Sequence, residues 1–134
     1  MPLITLNAVD FSIGGPLLLD KVDFAIEPGE RIAFVAKTNY EWTLVDFALW
    51  YAGAVMVPVY ETSSAAQISW IVSDSGAIAV LSESEEHAAR VAEVRDELPL
   101  VRDTWSMASG ALDTLRAGGV SVDDGEIERR RGLA

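Results

Sequence analysis

Residues 31–60 read RIAFVAKTNYEWTLVDFALWYAGAVMVPVY, and this stretch decides the fold. Ile32 to Ala36 is a short apolar run of β-formers. Thr38-Asn39-Tyr40-Glu41 has capping-box form, with Thr38 as N-cap and Glu41 at the third helical position. From Trp42 to Ala52 the chain is helical in pattern and apolar almost all round, as a central, covered helix should be. Gly53 stops it in the position of a C′ glycine. Ala54 to Val57 then runs into Pro58 as a second buried strand. A strand, a helix and a strand in this order predict a parallel pair with a right-handed crossover.

Outward from that unit, toward the C-terminus, the rhythm continues. Ser64-Ala65-Ala66-Gln67 is a second capping box and opens a helix to about Ser73, ended by Ser75-Gly76. Ala77 to Leu81 is a short buried strand. Ser82-Glu83-Ser84-Glu85 reads as a third capping box, with an amphipathic helix from Glu83 to Leu98 stopped by Pro99. Leu100 to Met107 reads as a further strand and Ala111 to Ala117 as a short helix. Asp123 to Arg131 has helical composition with little to bury, so it is expected exposed or frayed. Toward the N-terminus, Ile4 and Leu6 alternate with polar residues, and so do Val9, Phe11 and Ile13. The apolar phase slips between the two sets, which predicts a bulge near Asn7–Val9. Gly14-Gly15-Pro16 is a turn signal, and Val22, Phe24 and Ile26 alternate again, so residues 1–30 read as an antiparallel hairpin. Glu27-Pro28-Gly29-Glu30 turns into the strand at Arg31.

The expected architecture is α/β: a mainly parallel sheet with helices on both faces, a βαβαβα flavodoxin-like or Rossmann-like layer, preceded by the hairpin. The expected organisation is one domain over 1–134, with the hairpin at 1–30, the α/β core at 31–122 and an exposed helix or tail at 123–134.

Composition narrows the function. The 134 residues carry 21 acids against 10 bases, a net charge of −11. Nucleic acid and anionic membrane, which need a positive field, are excluded as partners. With no Cys there is no disulfide or thiolate chemistry, and the single His87 builds no metal site alone. His87 is expected on a solvated helix face. The N-terminus lacks a secretory pattern, and the setting is expected to be cytoplasmic. Thr43 to Tyr60 is a long apolar run with one charge, Asp46, but Gly53 and Pro58 interrupt it, so no membrane span is expected.

No catalytic residue and no metal ligand is assigned. The candidate binding residues are Lys37 and Thr38, which could contact phosphate, and Thr62, Ser63 and Ser64, which could hold an anion at a helix N-terminus. Helix capping accounts for both groups and is the preferred reading. Trp42, Trp50, Trp70 and Trp105 are read as core packing ahead of ligand lining. Asp46, inside an apolar helix, is read as pairing with Arg31 or Lys37 or reaching the helix edge.

Two resemblances follow from quoted residues. PGERIAFVAKTNYEWTLVDFALWYAGAVMVPVYETSSAAQISWIVSDSGAIAV, supported by ALDTLRAGGVSVDDGEIERRR, makes residues 28–134 resemble an inner α/β segment of the N-terminal domain of a bacterial AMP-forming long-chain acyl-CoA synthetase. That family uses ATP, CoA and Mg to activate a fatty acid through an acyl-adenylate. Its phosphate loop and adenylation Lys are expected to lie beyond this segment, so the resemblance implies a non-catalytic fragment that binds no cofactor of its own. Residues 1–35, MPLITLNAVDFSIGGPLLLDKVDFAIEPGERIAFV, resemble the N-terminal hairpin of an ATP-binding cassette ATPase. Ile13 or Phe11 would fall where that family places an adenine-stacking aromatic. The cassette phosphate loop, however, needs glycines, and none occurs between Arg31 and Ala52. The two resemblances overlap at Pro28–Ala33, so the chain reads as a chimera. A segment of a larger enzyme exposes surface its neighbours once covered, so a homodimer or higher self-association is expected. Residual nucleotide or acyl-chain binding and a cassette-type remnant are the alternatives.

Overall fold

The structure, a computed structural model, describes residues 4–11, 19–26 and 29–131. Its centre is a sheet of four parallel strands: β3 (Arg31–Val35), β4 (Val55–Val59), β5 (Ala79–Ser82) and β6 (Asp103–Ser106), in the order β4-β3-β5-β6. The helices are α1 (Tyr40–Tyr51), α2 (Ala65–Ser75), α3 (Glu85–Glu93), α4 (Ala111–Gly119) and α5 (Asp124–Arg131). The α/β reading therefore holds, with every neighbouring pair in this sheet parallel. Residues 31–60 form the expected two parallel strands bridged by a helix.

β3 lies between β4 and β5, so it is bonded along both edges and packed on both faces. Ile32 through Val35 are all buried, which is why the run is apolar without alternation. Successive side chains point to opposite faces. Ala33 and Val35 join Val80, Ile68, Val72 and Val91 on the face covered by α2 and α3. Ile32 and Phe34 face the other way, toward Val45 and Leu49 of α1, with Ala111 of α4 also on that side.

The local stops act as the sequence predicts in two places. Gly53 sits just beyond α1 at φ 74°, and Gly76 caps α2 at φ 68°, both in the left-handed region that favours glycine. Ser64 and Gln67 exchange both capping-box bonds, at 3.3 and 2.9 Å.

Several boundaries differ. The N-cap of α1 is Asn39, not Thr38: Asn39 Oδ1 accepts from the Trp42 N–H at 2.8 Å. The N-cap of α3 is Ser84, not Ser82, because Ser82 is still paired in β5, opposite Val35 and Ser106. The amphipathic segment ends in α3 at Glu93 and continues as a single 3-10 turn over Arg95–Glu97. β6 is shorter than expected, since residues 100–102 lead into it as a loop.

Burial brings further corrections. α1 is not covered all round; Val45 is its one buried residue, because the helix lies on the outer layer with the sheet on a single side. Trp42 and Trp105 pack against the core, but Trp50 and Trp70 are exposed. His87 is only 6% exposed, on the same side of α3 as Val91, and its Nδ1 has no partner among the described residues. Asp46 is half-buried and makes no ion pair with Arg31 or Lys37. α5 contacts α1 through a few residues and buries Arg130, while Asp124, Gly125, Glu128 and Arg129 are exposed.

β1 (Ile4–Phe11) and β2 (Leu19–Ile26) form the expected antiparallel hairpin. Its register pairs Ile4 with Ile26, Leu6 with Phe24 and Val9 with Val22, and it shifts between Leu6 and Val9, at the expected bulge. The Gly14-Gly15-Pro16 turn, Ile13, Glu27-Pro28 and residues 132–134 lie outside the described residues.

Two outcomes are expected. Phe34→Ala removes the largest fully buried side chain among the described residues, at the sheet centre, and should lower the unfolding free energy by about 3–5 kcal/mol in urea denaturation. In α5, hydrogen bonds from Arg129 and then Arg130 pull Glu126 from the usual 4.5 to about 2. The depressed value means its support of α5 is full above pH 4.5 and is lost as pH falls through about 2. An NMR titration should place the Glu126 midpoint near 2, and Arg129→Ala should move that midpoint upward.

Candidate functional site

In an open parallel sheet the natural ligand position is outside the carboxyl ends of the strands, where the strand order reverses. Here the chain steps from β3 to β4 and then crosses back over β3 to β5. The reversal therefore lies between β3 and β5. Residues 36–39 leave β3 on one side and Glu83-Ser84 leave β5 on the other. The N-termini of α1 and α3 open onto this crevice, and each presents unpaired backbone N–H groups and a positive dipole end.

An anion already sits there, and it belongs to the chain. Glu83 Oε2 accepts from the Lys37 N–H at 2.9 Å, and Glu83 Oε1 accepts from Asn39 Nδ2 at 3.0 Å. The Glu83 N–H donates to the Val35 carbonyl at 3.0 Å, which fixes the backbone that carries the carboxylate. Asn39 in turn caps α1, so one carboxylate ties the end of β5 to the start of α1. The neighbouring acid does the same toward β6: Glu85 Oε1 accepts from Ser106 Oγ at 3.1 Å and Ser109 Oγ at 2.8 Å.

The sequence candidates all lie on this edge, after β3 or after β4, which are adjacent strands. The side chains of Lys37 and Thr38 are exposed, and the Lys37 N–H is spent on Glu83. Thr62 is exposed, Ser63 is buried, and Ser64 is consumed as the α2 cap. Arg90 reaches over from α3 and donates to the carbonyls of Glu61 (2.7 Å) and Ser63 (3.2 Å), and it also pairs with Glu86. The loop before α2 is thus held through the carbonyls of Glu61 and Ser63. Among the described residues no cluster of His, Asp or Glu is placed to hold a metal ion.

A separate cavity of about 360 Å³ opens between α3 and the edge strand β6, lined by Ser82, Val91, Arg95, Thr104, Trp105 and Ser106. Its one cation is already engaged: Arg95 donates to the carbonyls of Leu98 (3.0 Å) and Val101 (2.5 Å). At the start of β6, burial pushes the Asp103 carboxyl up, against the pull of Arg102 and Arg95.

Sequence reasoning missed Glu83, Asn39 and Arg90. Lys37-Thr38-Asn39 offers two capping residues in a row, and the pattern cannot say which one ends the turn. Glu83 was read as a helical first-turn acid, although a Glu directly after a buried strand also sits on the carboxyl edge. Arg90 carries no signal in the sequence, because its partners are backbone carbonyls 27 and 29 residues away.

A model of the AMP-binding enzyme family matches residues 21–127. The chain is 39% identical over 115 residues to the long-chain-fatty-acid–CoA ligase FadD15 of Mycobacterium bovis, across 84% of this chain and 19% of that protein. The same holds for FadD15 of Mycobacterium tuberculosis. It is 30% identical over 86 residues to the human mitochondrial malonate–CoA ligase ACSF3, across 63% of this chain and 15% of that one. Among solved structures it resembles a Mycobacterium tuberculosis fatty acyl CoA synthetase at 26% identity and TM-score 0.59, covering 72% of this chain and 19% of that one. It also resembles the N-terminal domain of FACL13 from the same organism at 25% identity and TM-score 0.58, across 72% of this chain and 24% of that one. The chain thus spans about a fifth of the length of the FadD15 ligases it matches.

If Glu83 is the pin of the crevice, Glu83→Ala should lower the unfolding free energy by about 1–3 kcal/mol, because two donors lose a charged acceptor. The same change should speed hydrogen exchange at the Lys37 amide more than at Ala33, which lies inside the sheet.

Proposed function

The chain belongs to the AMP-binding enzyme family, and on that footing we propose that residues 29–131 serve as scaffold for a long-chain fatty-acid–CoA ligase and not as its reacting centre. The observation that carries this reading is the Glu83 carboxylate at the strand-order reversal. Its two oxygens take the Lys37 and Asn39 donors that a ligand anion would need. The residues there do not fit ATP. A triphosphate would meet a like charge at the reversal, and the β3–α1 turn has no glycine to let backbone approach phosphate. No step of adenylation is therefore routed through these residues. ATP, CoA and Mg belong to the reaction of the whole ligase and not to this segment.

The reading extends to three finer points. By itself the chain is non-catalytic. It associates with itself, because α1 carries apolar side chains on its outer side. It works in the cytoplasm, in keeping with its acidity; none of the described helices is long and apolar enough to cross a membrane. The cassette-type origin of the hairpin is a further proposal. In that reading the two pieces meet at Pro28–Ala33; the family match itself begins at residue 21, within β2. A second reading, residual binding of an acyl chain, is favoured by the cavity between α3 and β6.

The test is pyrophosphate release from ATP and a long-chain fatty acid by the purified chain, with thermal shifts for ATP, AMP and the fatty acid. A ligand at a hundred times its Kd would add about 2.7 kcal/mol of stability, a shift of several degrees. The expected result is no pyrophosphate and no shift. A shift with the fatty acid alone supports the second reading, and pyrophosphate above background overturns the first.

A further inference from the structure

The outer side of α1 is largely exposed and carries no charged side chain. Tyr40 is 75% exposed, Phe47 55% and Trp50 72%, with Leu44 and Tyr51 exposed beside them. Positions 40, 44, 47 and 51 recur at helical spacing and form one stripe, opposite the core-facing Val45 and Leu49. Trp50 adjoins it, with its ring edge-on to Phe47 at a centroid distance of 6.3 Å. The helix has two charged residues, Glu41 and Asp46, and helical spacing puts them on the flanks and not in the stripe.

Area decides whether such a surface can hold a partner. Taking about 200 Å² for a fully bared aromatic side chain, the five residues expose roughly 600 Å². Two copies meeting face to face would bury roughly 1,200 Å², the lower bound for a specific interface. That is also large for an apolar patch left in water on a monomer. Charge limits where a second copy can dock. A second copy brings another net −11, so most pairings of two such surfaces set acid against acid. The α1 stripe lets two copies approach without a charge on either contact line. A two-fold pairing is self-complementary by construction, since each residue of one stripe meets the other copy's stripe.

We propose that the full chain forms a two-fold dimer through the outer stripe of α1; this rests on the self-association reading above. Salt should strengthen the dimer, because screening removes repulsion between the acidic surfaces while the contact itself is apolar.

Sedimentation equilibrium of the full chain tests this at micromolar concentration and two salt levels. The expected result is a dimer that tightens with salt. Phe47→Glu and Trp50→Glu should each raise the dissociation constant at least about thirty-fold, with circular dichroism and melting unchanged. Tyr40→Glu, at the first residue of the helix, serves as a further interface variant if either disturbs folding. Trp70→Glu, equally bare but on α2 over the other face of the sheet, should leave the constant unchanged. A monomeric wild type overturns both this proposal and the self-association reading. A dimer that survives the α1 charges, or dissociates with Trp70→Glu, overturns the α1 assignment and leaves self-association standing on another surface.

Discussion

The structure depends on one strand being satisfied on all four sides. β3 is hydrogen-bonded to β4 along one edge and to β5 along the other. Its side chains enter the α1 face and the α2–α3 face alternately. A strand in that position cannot alternate apolar with polar, because either phase would bury a polar side chain without a partner. In the order β4-β3-β5-β6 such a strand lies inside, with β4 and β5 on opposite sides of it. The strand-order reversal, the feature that gives an α/β layer its ligand crevice, is a consequence of where β3 sits.

A crevice of that kind concentrates positive potential, because helix N-termini converge on it. Something negative must meet those donors, whether a ligand, water or the chain itself. Here the chain supplies Glu83, and the same local logic recurs at Glu85 with Ser106 and Ser109. These acids fasten adjacent β–α connections to one another across the carboxyl edge. Along this part of the carboxyl edge they hold strands and helices in register.

How much of this was legible depends on the range of the interaction. The β3–α1–β4 unit, the Ser64–Gln67 capping box, Gly53, Gly76 and the hairpin bulge were readable, because each is set by residues within a few positions of one another. The caps of α1 and α3 were misplaced because Thr38 and Asn39, or Ser82 and Ser84, are equally able to cap. The choice is made by how far the preceding strand stays paired, and for Ser82 that is set by β3 and β6. His87, expected on a solvated helix face, shares the buried side of α3 with Val91. Composition of a helical turn does not say which side of it the sheet will take. Glu83 and Arg90 are legible only once strands distant in sequence are neighbours.

α1 and α3 mark the sharpest contrast between pattern and environment. α3 separates its apolar side from its acids, so the chain alone explains its sequence. α1 has no such separation: the side facing the sheet and the side facing out are both apolar. Apolar periodicity records every surface a helix is built to meet, and it does not distinguish surfaces of the same chain from surfaces of another. A fully apolar helix was therefore read as covered, when the chain covers only its inner half. The 21 acids keep such a molecule in solution, and their absence from the outer stripe of α1 leaves hydrophobic contact unopposed there. A second copy would bring the same uncharged aromatic strip on an equally acidic body, so the outer half of α1 is matched by its own repeat.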